Sequence, residues 1–494
     1  MLPRSLAMLN QIHLRAICLG YVLIVCASSV PAQPPGFPDP PPGFPKLPSP
    51  DDLADAISQK LQGTDAQERI DGLLAISQDA VTAIDDKAAS LMADLKTMVR
   101  TGDNPFEQVL AASIILRQSD DDEESRSLID LLSRQLQSAD PALASQAAQG
   151  LVGAADNAEP ALLAALASSQ PGTRALAAEK LGQIKASGAR DSLVGLLDDS
   201  SPQVRSAAAK ALGQLSLSDT AISALMNLLE SDSQMGVKAN AAASLVIAAG
   251  HTESVKEAVI DAINESDDRT SLAIIRGVAH CDASDDTRAG ILGSALIDST
   301  AAKSSEIISH LVELGPSGMR QLITGLDSSQ ARYWCVVALA DFSEQAKPAS
   351  EKLASLLADS DPDVQTEILL TLPQIDASGT HVRDAVVAQM SSTHDGVRYA
   401  AALAAARLGL DGRETRQQLE ANASDRDPVL ALVSAFALAK LHSSEPAYGF
   451  RAMKALATAA KSGDERLKPL AIEALRELKD ELKPPPLPAL PSFP

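Results

Sequence analysis

The sequence contains very few aromatic residues, which make up only 2% of its 494 residues. Aromatic and β-branched side chains are typical of sheets, whereas alanine and leucine, which dominate this chain, favour helices. Positive charge is also scarce, because 42 lysine and arginine residues stand against 64 acidic residues and leave a formal net charge of −22. Such a charge repels phosphate backbones and anionic membrane surfaces, so nucleic acid is excluded as an expected partner.

Cysteine is scarce as well, and two of the four, Cys18 and Cys26, lie near the start of the chain. The other two, Cys281 and Cys335, are too few for a disulfide framework and are predicted to be buried, unpaired thiols. The chain has no glycine-rich phosphate loop, no HExxH, no zinc-spaced cysteines and no GxSxG elbow. The acidic run 120–124 lacks the alternating ligands and the glycine of a calcium loop. We therefore predict no catalytic, cofactor-binding or metal site.

The start of the chain, up to Ala32, has the pattern of an export signal. Arg4 and Arg15 give a basic start, residues 16–30 form an uncharged, mostly apolar run, and small residues follow it. The pattern predicts a signal peptide over 1–32 and a mature protein that is periplasmic or secreted, with no stable membrane insertion after cleavage. Two alternatives remain: a retained anchor, for which this run is short of the roughly 20 residues of a span, and a lipid-modified Cys26.

Proline divides the rest of the chain into segments. Residues 33–50 contain the unit PPGFP twice and are predicted to be an extended linker, and residues 483–494 are predicted to be a second proline-rich tail. Between them, apolar residues recur at three- and four-residue spacing, which predicts helices almost throughout. We predict divergent helical repeats over 51–139 and a regular repeat array over 140–482.

Recurring helix starts indicate the repeats. Pro202 and Pro362 begin similar small-residue helices, and the distance between them corresponds to five repeat units of about 32 residues each. An aspartate before a proline can accept a hydrogen bond from the first turn of a helix, while the proline presets the first helical φ. Three such pairs are present: Asp140-Pro141, Asp361-Pro362 and Asp427-Pro428.

The repeated helix resembles the HEAT repeat family, in the short form also called PBS-lyase HEAT-like repeats and related to armadillo-type solenoids. The residues that carry the resemblance are Asp199, Pro202, Val204, Arg205, Ala207, Ala208, Ala211, Leu212 and Gly213. The resemblance is clearest over 140–265 and 331–445. It implies an all-α solenoid, a right-handed superhelix of antiparallel helix pairs with about 12 repeats, and a binding role for the fold.

One face of the second helix in each pair changes character along the chain. Counted from Arg205, positions such as Val204, Ala208, Ala211 and Leu212 lie on one side and are predicted to be core. The opposite side is predicted to line a concave surface, and it is mixed and polar in the first repeats. From residue 333 onward it becomes apolar and aromatic at a 33-residue spacing, and its predicted partner-binding residues are Tyr333, Val337, Leu370, Tyr399, Leu403 and Phe436.

An apolar stripe on a solvent face needs a cover or a partner. A protein or peptide partner is one reading, the chain's own tail with Leu487, Leu490 and Phe493 is a second, and ordinary core is a third. The sequence favours an exported, non-enzymatic scaffold that binds a protein or peptide on the C-terminal half of this face. The alternatives are a lyase-like accessory to an enzyme system, which would depend on Cys281 or Cys335, and a purely structural spacer.

Overall fold

The computed structural model describes residues 50–77, 88–119, 121–153, 157–358, 361–375, 379–462 and 467–481. Within these ranges the chain forms 26 α-helices and no β-strand, so the all-α prediction is confirmed. The chain divides into two compact units, Met1–Leu228 and Leu229–Pro494. The boundaries that the sequence suggests at residues 32, 50, 140 and 482 stay predictions.

The first unit contains ten complete helices and most of an eleventh, which crosses into the second unit. They are α1 (Pro50–Leu61), α2 (Ala66–Ser77), α3 (Ala88–Thr101), α4 (Pro105–Leu116), α5 (Asp122–Leu136), α6 (Pro141–Val152), α7 (Glu159–Ala165), α8 (Pro171–Gln183), α9 (Arg190–Gly195), α10 (Pro202–Leu212) and α11 (Asp219–Ser231). Each odd-numbered helix up to α9 pairs with the next helix, and the even-numbered helices α2 to α10 also stack on one another. Short connections make the paired helices antiparallel, which is the packing of an α-solenoid.

The second unit repeats this arrangement of paired and stacked helices. They are α12 (Met235–Ala249), α13 (Glu253–Glu265), α14 (Asp268–Ala279), α15 (Asp285–Leu296), α16 (Ala301–Glu313), α17 (Pro316–Gly325), α18 (Arg332–Ala340), α19 (Ser350–Leu356), α20 (Pro362–Thr371), α21 (Thr380–Gln389), α22 (Asp395–Arg407), α23 (Arg413–Asn422), α24 (Pro428–Leu441), α25 (Pro446–Ala460) and α26 (Leu467–Glu481). The even-numbered helices α12 to α26 form one continuous row, each in contact with the next. In both units we call the even-numbered helices the second helices and the odd-numbered helices the first helices.

The predicted helix starts are present. Asp140 caps α6 by accepting from the amide of Ala142 at 2.9 Å, with proline at the first helical position. Asp361 caps α20 and Asp427 caps α24 in the same way. These caps satisfy amides that a helix cannot pair internally, which is why the aspartate–proline pairs mark the repeat.

The core consists largely of alanine and leucine. Val204, Ala208, Ala211 and Leu212, which the sequence places in the core, are all at most 2% exposed. The small side chains let the second helices approach closely. At Gly182 an added Cβ would lie 2.7 Å from the Cα of Ala211, so only glycine fits where α8 meets α10. The alanine-rich composition is therefore a requirement of the packing.

A buried ion pair joins successive repeats of the first unit. Arg174 on α8 donates to both carboxylate oxygens of Asp199, each at 2.8 Å, and the two side chains are 14% and 9% exposed. Asp199 also accepts from the amide of Ser201 at 2.8 Å, and Arg205 donates to the Asp199 carbonyl at 2.9 Å. The guanidinium of Arg174 holds the pKa of the Asp199 carboxyl below its ordinary value. The pair thus ties the loop before α10 to the preceding repeat.

Among the described residues, no helix has both the length and the apolar character that crossing a bilayer requires.

Candidate functional site

The six predicted partner-binding residues lie on four second helices that follow one another in the second unit. Tyr333 and Val337 are on α18, Leu370 is on α20, Tyr399 and Leu403 are on α22, and Phe436 is on α24. Each of these helices packs against the next. We call the six residues the strip.

Five residues of the strip reach the surface of the second unit. Tyr333 is 38% exposed, and Val337, Leu370, Tyr399 and Leu403 are partly exposed. A partly exposed apolar side chain packs against the core on one side, and its exposed part can be covered by a second molecule.

Phe436 differs from the other five residues. It is only 3% exposed, so the expectation that it faces solvent is wrong. The physical reason is the last second helix, α26, which packs against α24 and places Leu470, Glu473 and Glu477 around the same cavity as Phe436. At this end of the row, the position opposite the core is covered by the next repeat.

The cavity beside Phe436 is small and mostly apolar. Its volume is about 80 Å³. Three charged residues, Arg407, Glu473 and Glu477, also line it, and Glu477 pairs with Lys440. Its aliphatic and aromatic walls come from Leu403, Leu432, Val433, Phe436, Leu456 and Leu470. The 33-residue spacing predicted Leu403 and Phe436 as residues of this face. It did not predict Leu456 and Leu470, because they belong to the last hairpin, where the repeat pattern is weak.

An acidic cleft lies at the other end of the strip, between α18 and α20. Tyr333 lines it with Asp361, Asp363 and Glu367, and its volume is about 490 Å³. The ring of Tyr333 stands edge-on to that of Trp334 with centroids 5.6 Å apart. Burial raises the pKa of Glu367 above its ordinary value. The cleft therefore places an aromatic ring among carboxylates, a combination that suits a basic side chain.

Tyr399 also has a structural contact that the sequence did not indicate. Its hydroxyl donates to the carboxylate of Asp427, which caps the next second helix, α24, by accepting from the amide of Val429. Tyr399 thus fastens α22 to the start of α24 in addition to presenting part of its ring. Its replacement would disturb the fold as well as the surface, so Tyr333 is the cleaner probe of the strip.

The corresponding face of the first unit is polar, in agreement with the sequence. A groove of about 190 Å³ is lined by Glu179, Gln183, Lys210 and Gln214 on and after α8 and α10. Nearby, the nearly buried Lys180 donates to the side-chain amide oxygen of Gln149 at 3.1 Å. The apolar stretch that distinguishes the strip is not repeated in this groove.

The thiols of Cys281 and Cys335 lie in environments that do not suit a nucleophile. Cys335 is fully buried, and burial raises its pKa to about 12. Cys281 is half-buried, and burial raises its pKa as well. Since the thiolate is the reactive form, neither side chain is prepared for attack at neutral pH.

Two histidines meet in the second unit. The rings of His280 and His310 stand perpendicular with centroids 5.0 Å apart, one at the end of α14 and the other on α16. His310 also lies beside two carboxylates, with Nδ1 2.9 Å from Glu313 Oε2 and Nε2 3.6 Å from Glu306 Oε1. In the described part of the chain, no three histidine, cysteine or acidic side chains are grouped so as to hold a metal ion.

Comparisons with known proteins identify the repeat. Residues 159–246 match the family described as HEAT repeats, within the region where the sequence resemblance is clearest. No curated protein matches the chain. A crystal structure of the karyopherin Kap121p bound to the SUMO protease Ulp1p is similar, with a TM-score of 0.47 and 13% identity over 88% of this chain and 55% of that chain.

Two further solved structures are similar at lower TM-scores. A structure of Kap95p with RanGDP has a TM-score of 0.39 and 14% identity, over 87% of this chain and 61% of that chain. An engineered protein has a TM-score of 0.27 and 22% identity, over 76% of this chain and 99% of that one. The chain therefore spans little more than half of the Kap121p chain that it matches.

Proposed function

We propose that this chain, of which residues 159–246 match the HEAT repeats family, is a non-enzymatic scaffold that holds a protein or peptide partner against the strip of its second unit. The observation that carries the proposal is the set of partly exposed apolar side chains on three successive second helices: Tyr333, Val337, Leu370, Tyr399 and Leu403. Solvent exposure of such a set is unfavourable, and a partner that covers it gains the corresponding free energy.

The chemistry of the strip suggests what the partner presents. Val337, Leu370 and Leu403 offer aliphatic area, which suits apolar side chains of an extended segment or a helix. The acidic cleft at Tyr333 suits lysine or arginine. We therefore expect a partner in which apolar residues are flanked by basic residues, and we expect the association to weaken with added salt.

Catalysis by an accessory enzyme is the competing function, and it depends on a reactive thiol. The raised pKa values of Cys281 and Cys335 argue against it. A purely structural spacer is the other alternative, and it predicts that no molecule associates with the strip.

Replacing Tyr333 by alanine is expected to weaken partner binding by about 1–3 kcal/mol, because exposed aromatic anchors carry much of the energy of an interface. This corresponds to roughly a 5- to 150-fold rise in Kd. Partners are first captured from a native envelope extract with the full chain and identified by mass spectrometry. The purified partner is then titrated calorimetrically against the wild-type chain and the variant.

Ile297 provides a matched control for that substitution. It is exposed to the same extent as Tyr333, 38%, but lies at the end of the first helix α15, outside the strip. Ile297→Ala should leave the affinity unchanged. Equal affinities for both variants and the wild type would place the partner elsewhere, and failure to capture any partner would favour the spacer.

We also propose that the protein is exported. The support is in the sequence alone, in the basic residues Arg4 and Arg15 and the apolar run 16–30, which lie outside the described residues. The chain recovered after export in its native host is expected to begin near Gln33, and intact-mass measurement checks this. A mass that includes residues 1–32 would indicate a retained anchor, and a lipid adduct on Cys26 would indicate a lipoprotein.

A further inference from the structure

The last hairpin that the structure describes, α25 and α26, has large apolar side chains on its surface. Phe450 is 75% exposed, Ile472 is 43% exposed and Met453 is 36% exposed. Each of the three comes one position after a buried residue of its helix, which places it about 100° around the helix from the core. They therefore lie beside the core and not in it.

These three side chains lie on the flank that faces away from the preceding repeat. The opposite flank is occupied, because Tyr448, one position before a buried residue of α25, donates a hydrogen bond to the carboxylate of Glu420 on α23. Leu470, one position before a buried residue of α26, lines the cavity with Phe436 of α24. Since α25 and α26 are antiparallel, positions one after a buried residue share the other flank, where the structure describes no further helix. The three side chains form one surface that points away from α24 and from the strip.

Basic side chains accompany this apolar surface. Arg451 and Lys454 directly follow Phe450 and Met453, and both are exposed. Helix α25 contains no acidic residue, although the chain as a whole has 64 acidic residues against 42 basic ones. We call Phe450, Met453, Ile472, Arg451 and Lys454 the end face. Two end faces would repel each other, so the end face favours an acidic acceptor that also offers apolar area.

The strip of the same chain meets this description. Its cleft of about 490 Å³ at Tyr333 is lined by Asp361, Asp363 and Glu367, and its aliphatic residues lie on α18, α20 and α22. Apolar residues flanked by basic ones are what the strip suits in a partner, and residues 450–454 read FRAMK. Because the end face points away from the strip of its own chain, the two surfaces can meet only between two copies.

We propose that the end face of one chain docks on the strip of a second copy. Phe450 and Met453 cover aliphatic area of the strip, and Arg451 and Lys454 face the carboxylates of the cleft at Tyr333. This docking rests on the proposed function of the strip and makes its partner another copy of the chain. The two surfaces in contact differ, so the contact is heterologous and each chain can use both of its surfaces.

Sedimentation velocity of the full chain over a series of concentrations tests the contact. The wild-type chain is expected to self-associate, and added salt should weaken the association because opposite charges face each other across it. Phe450→Asp and Tyr333→Ala change the two sides of the contact, and each should raise the Kd of self-association at least about tenfold. Circular dichroism checks that both variants are folded.

Met235 provides a matched control for Phe450→Asp. It is 44% exposed and begins α12, outside both the end face and the strip. Met235→Asp makes the same change of charge on an exposed apolar side chain and should leave the Kd of self-association at its wild-type value. An equal loss in Met235→Asp and Phe450→Asp would trace the effect to net charge and would overturn the docking.

Mixing the two contact variants gives a sharper test. Phe450→Asp keeps its strip and Tyr333→Ala keeps its end face, so each alone should stay monomeric at concentrations where the wild type associates. An equimolar mixture should form a dimer with one chain of each kind and no larger species, because such a pair can make only one contact. A mixture that stays monomeric would overturn the docking.

Two further outcomes would also overturn it. A wild-type chain that is monomeric at every concentration would leave the strip to another partner or to the tail 483–494, which lies outside the described residues. The affinity of a captured partner for Tyr333→Ala would then still decide the proposed function. Self-association that Phe450→Asp abolishes and Tyr333→Ala leaves unchanged would show that the end face binds elsewhere on the second copy.

Discussion

Replacement of Phe436 by alanine is expected to lower the free energy of unfolding by about 3–5 kcal/mol, the usual cost of deleting a buried aromatic side chain. The ring is 3% exposed and forms one wall of the small cavity between α24 and α26. Its removal would enlarge a space that the surrounding helices do not fill. Urea denaturation followed by circular dichroism measures the loss.

The control for this prediction is a substitution of Tyr333, the aromatic residue at the other end of the strip. Tyr333→Ala removes a side chain that is 38% exposed and should cost no more than about 1 kcal/mol. If Phe436→Ala unfolds at the wild-type urea concentration and instead abolishes partner binding, the burial of Phe436 seen here does not hold in solution. A large loss of stability with partner affinity intact in the folded fraction is the expected result.

Replacement of Arg174 by alanine is expected to cost about 3 kcal/mol, because it leaves the nearly buried carboxylate of Asp199 without its bidentate partner. The effect should depend on pH. The pKa of Asp199 is lowered in the folded protein, so the stability that the ion pair contributes is present above the ordinary carboxyl pKa and is lost as the pH falls through the lowered value. The difference between wild type and variant should therefore shrink between about pH 5 and pH 2.

Two variants sharpen that measurement. Arg174→Lys keeps the charge but loses the planar pair of donors, so it should recover only part of the stability. Arg320→Ala removes an exposed arginine that contacts Asp286, whose side chain is 70% exposed, and should leave the stability close to that of the wild type. A pH-independent loss in Arg174→Ala would show that the packing of its aliphatic stem, and not the ion pair, stabilises the repeat.

Much of the architecture could be predicted from the sequence because it depends on local rules. The caps at Asp140, Asp361 and Asp427 follow from the hydrogen-bonding needs of a helix start, which lie within a few residues. The core positions of α10 follow from the helical period, and Val204 and Leu212 are both fully buried. Where a property depends on one helix alone, its residues are sufficient to predict it.

Predictions from the sequence fail where the surroundings of a residue depend on contacts with another helix or on the geometry at a helix end. Phe436 occupies the position opposite the core of α24, but α26 covers it, and that packing cannot be inferred from the period of one helix. His280, which caps the end of α14 with φ −107°, meets His310 of another helix, a contact that the period of one helix does not predict. The contact between Tyr399 and Asp427 likewise joins two repeats.

The way the described helices pack also bears on how the chain acquires its structure. Their main contacts join each helix to neighbours one or two places along the chain, as in the pairing of α25 with α26 and the stacking of α22 on α24. Contacts this close in sequence need little loop closure, which is the condition for rapid folding. A hairpin can close as soon as its own residues and those of the preceding hairpin are available. A chain that emerges end-first from a ribosome or a secretion pore can therefore fold repeat by repeat, and core side chains stay uncovered only at its growing edge.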